Sequence, residues 1–260
     1  MKTSSKRNWE DYWGKKHQTA EIYPNTDRIR RYLGNVCDLQ GSFVLEVGAG
    51  TGRDSFYMAQ DGAKLVLLDY SMQSLRHIQA GRPRIDNPVL AVGADAFSMP
   101  FPDDAFDVVF HQGLLEHFKE DDATRLLQEN IRVLKPGGHL VVDVPQRYHI
   151  YTIIKHLLIL MNAWFAGWER EFSLKELERI LTSLQLQPVL QYGEWMYPSF
   201  FYRMLREVLA KLGLALPLYP PSIPLLHTIR TGIRDLLTDS WFQKNTALSI
   251  GIIARKPADQ

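Results

Sequence analysis

The stretch Val44–Ser55, VLEVGAGTGRDS, decides how the chain folds. Val44, Leu45 and Val47 read as a short buried strand, and Arg53 onward reads as the start of a helix. Between them lie Gly48, Gly50 and Gly52, with the carboxylate of Glu46 just before them. Glycines at such a turn reach conformations barred to other residues and let a ligand approach the backbone closely. The helix N-terminus beyond them offers N–H groups that have no partner inside the helix. A ligand is expected to lie against this turn.

Outward from it, strand and helix signals alternate from residue 26 to residue 145, the pattern of a parallel sheet covered by helices. Upstream, TDRIRRYLGNV predicts a helix capped at Asn25 or Thr26. Downstream, SFYMAQ predicts a helix ended by Gly62, KLVLLD a second strand, and SMQSLRHIQA a second crossover helix stopped by Gly81. PVLAVGAD and FDVVFHQG are the third and fourth strands. DDATRLLQENIRVL has helical spacing and ends in a KPGG turn, after which HLVVDVP makes a fifth strand. Beyond Pro145 the pattern changes: HIYTIIKHLLILMNAWFAGW is nearly all apolar or aromatic. SLKELERILTSL is an amphipathic helix with Ser173 and Glu176 at capping-box spacing. QPVLQYGEW reads as a sixth strand, Met196 to Asn245 as helices interrupted by LPLYPPSIP, and TALSIGIIARK as the last strand.

The glycine spacing narrows the ligand. A dinucleotide fold wants G-x-G-x-x-G after its first strand. Here the run is G-x-G-x-G and Arg53 stands where the third glycine belongs. Glu46 beside the turn repels phosphates and suits a ligand with an ammonium group. Asp69 closes the second strand about 20 positions beyond the turn, where a carboxylate can accept from both hydroxyls of a ribose. Asp95 follows the third strand and can pair with the exocyclic amine of a base. Each aspartate alone reads equally well as a helix cap or turn residue. Three acids ending three successive strands beside one glycine turn point instead to a cationic or zwitterionic nucleoside.

VLEVGAGTG, LLDYS, GADAFSMPFPDDAFDVVF and LKPGGHLVV resemble, in order and spacing, the successive motifs of the class I S-adenosylmethionine-dependent methyltransferases. Within that family the likeness is to the broad methyltransferase-domain group that includes quinone-biosynthesis enzymes. It implies an α/β, Rossmann-like, seven-stranded, mostly parallel sheet with a reversed last strand. Helices are expected on both faces, with helical insertions over the substrate side. By resemblance, Glu46, Gly48, Ala49, Gly50 and Gly52 line the methionine part of S-adenosylmethionine. Asp69 holds the ribose, Asp95 takes the adenine amine, and Tyr70, Met72, Ala96 and Phe97 sandwich the ring. His111 and Gln112 pass near the sulfonium end. The implied layout is a single domain over residues 1–260: a cap segment at 1–40, a cofactor-binding core at 41–145, and lid insertions at 146–172 and 195–245. The entry segment NWEDYWGKKHQTAEIY resembles one that folds over the cofactor, with Tyr12 and Trp13 closing it.

HQGLLEHF, after the fourth strand, is where catalysis is expected, and His111 and His117 are the candidate catalytic residues. A hydroxyl nucleophile must lose a proton as the methyl moves. A sulfonium methyl is already activated, so alignment alone can supply much of the rate. Glu116 and His117 have an equally simple reading as residues that start a helix and brace the loop.

Composition sets the outer bounds. The 260 residues carry a net charge of +1, and the single Cys37 excludes a disulfide framework or a multi-thiolate metal site. No basic patch interleaved with aromatics and no Asp/Asn-Pro-Pro-Tyr/Phe stretch points to nucleic acid. MKTSSKRNWEDYW lacks the apolar run of a secretory signal, so the expected location is cytoplasmic. Lys155, His156 and Asn162 break the apolar insertion as a membrane span, leaving a packed lid or an interfacial helix in peripheral membrane contact. The expected reaction is methyl transfer to oxygen or carbon of a small or lipid-like, partly apolar acceptor. The alternatives are a non-catalytic cofactor-binding scaffold and a nicotinamide-dependent oxidoreductase.

Overall fold

Val44, Leu45 and Val47 are fully buried in β1 (Phe43–Val47) because both faces of this strand are covered. Strands buried on both faces read as near-continuous apolar runs, which is why the first, second and fourth strands look alike in sequence. The computed structural model describes residues 5–14, 27–82, 87–161, 168–195, 197–221 and 224–258. In it β1 pairs in parallel with β2 (Lys64–Asp69) on one side and with β4 (Phe106–Gln112) on the other. β3 (Val89–Gly93) lies outside β2, and β5 (Leu134–Pro145) lies outside β4. β7 (Ser249–Arg255) inserts antiparallel between β5 and the edge strand β6 (Gln187–Glu194). The seven-stranded order β3-β2-β1-β4-β5-β7-β6 reverses direction at β1 and β4. Ligands of open α/β sheets sit at such a switch point, outside the carboxyl ends of the strands. The glycine turn is at that place.

Helices cover both faces. α2 (Arg28–Leu33), α3 (Arg53–Gln60) and α4 (Met72–Gly81) pack Leu33, Met58 and Ile78 against Val44, Leu67, Val108 and Phe110. On the other face α5 (Glu120–Val133) and α7 (Leu174–Ser183) bring Leu126, Leu127, Leu177 and Leu181 onto Leu45, Val47, Val109 and Val142. Successive strand residues thus enter opposite cores, as a period of two requires. The hydroxyl of Ser173 accepts from the N–H of Glu176 at 3.2 Å and starts α7. A buried bidentate ion pair joins α2 to β5: Arg28 donates to Asp143 at 3.0 and 2.6 Å. The Tyr192 hydroxyl of β6 reaches the same carboxylate at 3.0 Å, with Ser249 of β7 as a further donor.

Three boundaries differ from the sequence reading. The KPGG segment is not a turn between helix and strand: α5 ends at Val133, and β5 begins at once with Leu134. The ladder to β4 skips from Leu134 to His139, so the four residues form an irregularity inside a long strand. Gly138 makes this passage possible, since a Cβ there would stand 2.8 Å from the Asp107 carbonyl. Gly81 is the last residue of α4 rather than its stop. The residue capping α2 is Asp27; Asn25 and Thr26 lie outside the described residues.

The N-terminal segment contributes a helix, α1 (Lys6–Gly14), that docks on α4. Its Glu10 carboxylate accepts from the N–H groups of Met72 at 2.7 Å and Gln73 at 3.3 Å. The insertions form α6 (Ile150–Leu160) after β5, then α8 (Phe200–Lys211), α9 (Pro224–Leu237) and α10 (Trp241–Thr246) after β6. Among the described residues no helix is long and apolar enough to cross a membrane.

Candidate functional site

The carboxyl ends of the first four strands enclose a cavity of about 350 Å³. One wall is Gly48 of the glycine turn with Leu68, Asp69 and Tyr70 at the end of β2. A second is Ala94, Asp95, Ala96 and Phe97 after β3. The third follows β4: Gln112, Gly113, Leu114, His117 and Phe118. α1 lies across it with Trp9 and Trp13.

The turn is built as its sequence requires. Gly48, Gly50 and Gly52 hold φ values of 70°, 57° and 66°, which L side chains rarely adopt. A Cβ on Gly50 would come within 2.8 Å of the Trp13 ring. The N–H groups of Gly48 and Ala49 donate to the Leu68 carbonyl at 2.8 and 3.0 Å, binding the turn to β2. The N–H of Gly50 donates to Asp69 Oδ2 and that of Ser71 to Oδ1, both at 2.9 Å. Two backbone donors therefore fix the Asp69 carboxylate, and each oxygen keeps a further acceptor site. Burial pushes the Asp69 carboxyl up from its ordinary value against these hydrogen bonds. Asp95 is exposed at the cavity edge, with Oδ1 accepting from the Phe97 N–H at 3.0 Å.

Glu46 is not in the cavity wall. It lies buried behind the turn, where it accepts from the Ser55 hydroxyl and bonds the Gln112 side chain. Burial pushes its carboxyl up to about 8, with the Ser55 hydrogen bond opposing. Gln112 connects it to the cavity, and the Gln112 Oε1 atom has no hydrogen-bond partner among the described residues. Ala49, Gly50 and Gly52 support the turn from behind the lining.

Two predicted residues stand elsewhere. Met72 opens α4, but its side chain is 55% exposed and does not line the cavity. His111 is fully buried and does not line the cavity. It shares the strand face of Val109, opposite Gln112, and burial holds its imidazole down to about 4. His117 does line the cavity, in a single 3-10 turn, Leu115–His117. Its ring meets Trp9 edge-on at 5.0 Å, and Nδ1 lies 3.7 Å from Glu169 Oε1. Burial lowers the His117 imidazole, with Glu169 opposing. Sequence reading did not find Trp9, Leu114 or Phe118. Trp9 and Trp13 stand four apart on a nine-residue helix, so the helical spacing of the two tryptophans was the available signal.

A cavity with carboxylates at its β2 and β3 walls, aromatic rings at Tyr70, Phe97 and Trp9, and a backbone-only floor at the turn accommodates a cationic nucleoside. Its lining offers Lys6 as the charged counterweight to Asp69 and Asp95, a poor match to a pyrophosphate. A family model described as a methyltransferase domain matches residues 45–142, the segment holding every wall except α1. Residues 45–142 thus match a methyltransferase domain, and the chain is similar to S-adenosylmethionine-dependent methyltransferases. The chain is 30% identical over 138 residues to a "probable S-adenosylmethionine-dependent methyltransferase" of Mycolicibacterium smegmatis, covering 53% of this chain and 47% of that one. It is 40% identical over 118 residues to a demethylmenaquinone methyltransferase of Renibacterium salmoninarum, covering 45% and 47%. The chain spans about half the length of these curated relatives. Among solved structures, a "possible histamine N-methyltransferase" of Thermotoga maritima superposes with a TM-score of 0.63 at 16% identity, covering 97% of this chain and 100% of that one. At that identity the likeness is one of fold.

Proposed function

We propose that this chain transfers the methyl group of S-adenosylmethionine to oxygen or carbon of a small, partly apolar acceptor. The observation that carries the reading is the meeting of Gly48, Asp69 and Asp95 around one cavity at the switch point of the sheet. In it Asp69 receives the ribose hydroxyls, Asp95 the adenine amine, and Tyr70, Ala96 and Phe97 the ring faces. The glycine turn would hold the methionine tail, and Glu46, linked to the cavity by Gln112, would favour its ammonium. Bound there, the cofactor supplies a methyl group already activated by its sulfonium.

The chain's own chemistry is then positioning and removal of one proton. His117 is the residue to take it: it lines the cavity, and its lowered affinity for protons keeps it neutral at pH 7. His111, without access to the cavity, is a packing residue in this reading. Trp9, Leu114 and Phe118 add apolar lining to the cavity, in keeping with the quinone named in the Renibacterium relative. Incubation with methyl-labelled cofactor and a panel of apolar phenols, enols and amines tests this. Label on oxygen or carbon, reduced in His117→Gln with cofactor affinity retained, is the expected result. Transfer to amines only overturns the acceptor class, and tight cofactor binding with no transfer to any acceptor overturns the enzyme in favour of a binding scaffold.

A further inference from the structure

The helices that follow β5 and β6 turn apolar stripes outward. On α6, Ile153, Leu157 and Leu160 recur at helical spacing, with Leu160 70% exposed. The ammonium of Lys155 on the same helix is only 1% exposed, held by Glu169 at 2.8 Å and Glu171 at 2.7 Å. On α8, Phe201, Leu205 and Val208 form an exposed stripe. Its Arg203 donates inward to the carbonyls of Tyr197 and Pro198, and Arg206 to that of Leu216. On α9, Ile229, Ile233 and Leu236 do the same, with Leu236 81% exposed while Arg234 pairs with Glu194. A surface helix normally sets its apolar stripe on the core and its charges in water. These three helices carry apolar side chains on the face turned to water, while α6 also buries Ile159 and α9 also exposes Arg230 and Asp235.

Such an arrangement requires an apolar environment outside the protein. The helices have 11, 12 and 14 residues, whereas a span needs about 20, so they fit a surface and not the interior of a bilayer. Charge selects the kind of surface. Residues 146–172 and 195–245 together hold nine Lys/Arg against five Asp/Glu, in a chain whose total is +1. The remainder of the molecule is therefore net negative and this side positive. Trp241, 78% exposed, and Phe242 add rings of the kind that settle at a lipid–water boundary. We propose that α6, α8 and α9 dock on a bilayer surface that contains anionic lipid. The docked face joins the cavity through one ion cluster, since Glu169 pairs with Lys155 and lies 3.7 Å from His117. Resting on the proposed methyl transfer, this makes the acceptor a membrane-borne lipid.

Sedimentation of the whole protein with sucrose-loaded vesicles tests the docking, using phosphatidylcholine alone and phosphatidylcholine mixed with phosphatidylglycerol. The expected result is pelleting with the mixed vesicles, weakened by salt. Leu157→Glu, Val208→Glu and Leu236→Glu should each reduce partitioning by roughly tenfold or more, with S-adenosylhomocysteine affinity unchanged. No pelleting with either vesicle overturns the proposal, as does pelleting that none of the three substitutions alters. It is overturned too by a self-associated particle that the same substitutions dissociate and that ignores vesicles, because a second copy then covers the face. Homocysteine-cofactor binding without vesicle binding removes the docking alone; vesicle binding without it removes the proposed function alone.

Discussion

Glu46 couples charge at the glycine turn to pH. Its carboxyl is raised from an ordinary 4.5 to about 8 in the fold, so the folded state holds a proton that the unfolded chain releases. The sign follows: its contribution to stability is fully present below 4.5 and is lost as pH rises to about 8. Glu46→Gln should flatten that decline in urea titrations run across the same range. A ligand ammonium reverses the balance by favouring the carboxylate, so cofactor binding at pH 7 should release a proton that Glu46→Gln does not release. Calorimetry in buffers of differing ionisation enthalpy reads this directly. At Asp69 the carboxylate serves both the Gly50 and Ser71 N–H groups and the proposed ribose. Asp69→Ala should weaken cofactor binding by about 1–3 kcal/mol, measured by titration; an unchanged affinity contradicts the ribose assignment. The placement of Asp69 and Asp95 at the cavity was legible because β2 and β3, which lead to them, are short and apolar. His111 was not, since it lies within β4 rather than beyond it and alternation turns it to the face opposite Gln112. Its two ring nitrogens have no hydrogen-bond partner among the described residues, so His111→Leu should leave stability unchanged or raised by about 1–2 kcal/mol.

At the scale of elements, α1 and α2 are held by contacts that no local pattern announces. Glu10 of α1 caps the first turn of α4 from outside, and burial is outweighed by the N–H groups of Met72 and Gln73, so its carboxyl lies below its ordinary value. Docking through Glu10 is therefore present at neutral pH and lost as pH falls below about 4.5. Glu10→Ala should speed hydrogen exchange at the start of α4 and shorten the residence time of bound cofactor, because α1 carries Trp9 and Trp13 of the cavity wall. Arg28 and Asp143 stand 115 residues apart, a separation beyond any sequence periodicity. Asp143→Ala leaves the Arg28 guanidinium buried without its counter-charge and should cost about 3–5 kcal/mol in denaturant unfolding. The same limit explains KPGG. Pro-Gly-Gly reads as a turn by its own propensities, and only the packing of Gly138 against Asp107 of the neighbouring strand keeps it within β5. By contrast the capping hydroxyl of Ser173 was legible because helix starts are decided within four residues.

For the whole molecule, the strand order explains why one end of the sheet holds every proposed cofactor contact. β2 and β3 lie to one side of β1 and β4 to the other, so the crevice opens between them and the glycine turn lies in it. The insertions follow the carboxyl ends of β5 and β6, and none of their described residues lines the cavity. Charge separates along the same line, acids at the β2 and β3 ends and a cationic surplus in the insertion helices. Seven strands and their crossover helices were legible from apolar periodicity, whereas the outward turn of the insertion stripes was not, because amphipathic spacing is identical whether a helix faces a core or a membrane. The most direct measurement is calorimetric titration of the full chain with S-adenosylhomocysteine and, separately, with NADH. Saturable one-to-one binding of the sulfur nucleoside, weakened by Asp69→Ala, with no heat from NADH is the predicted result. Tight NADH binding with none of S-adenosylhomocysteine would contradict the account.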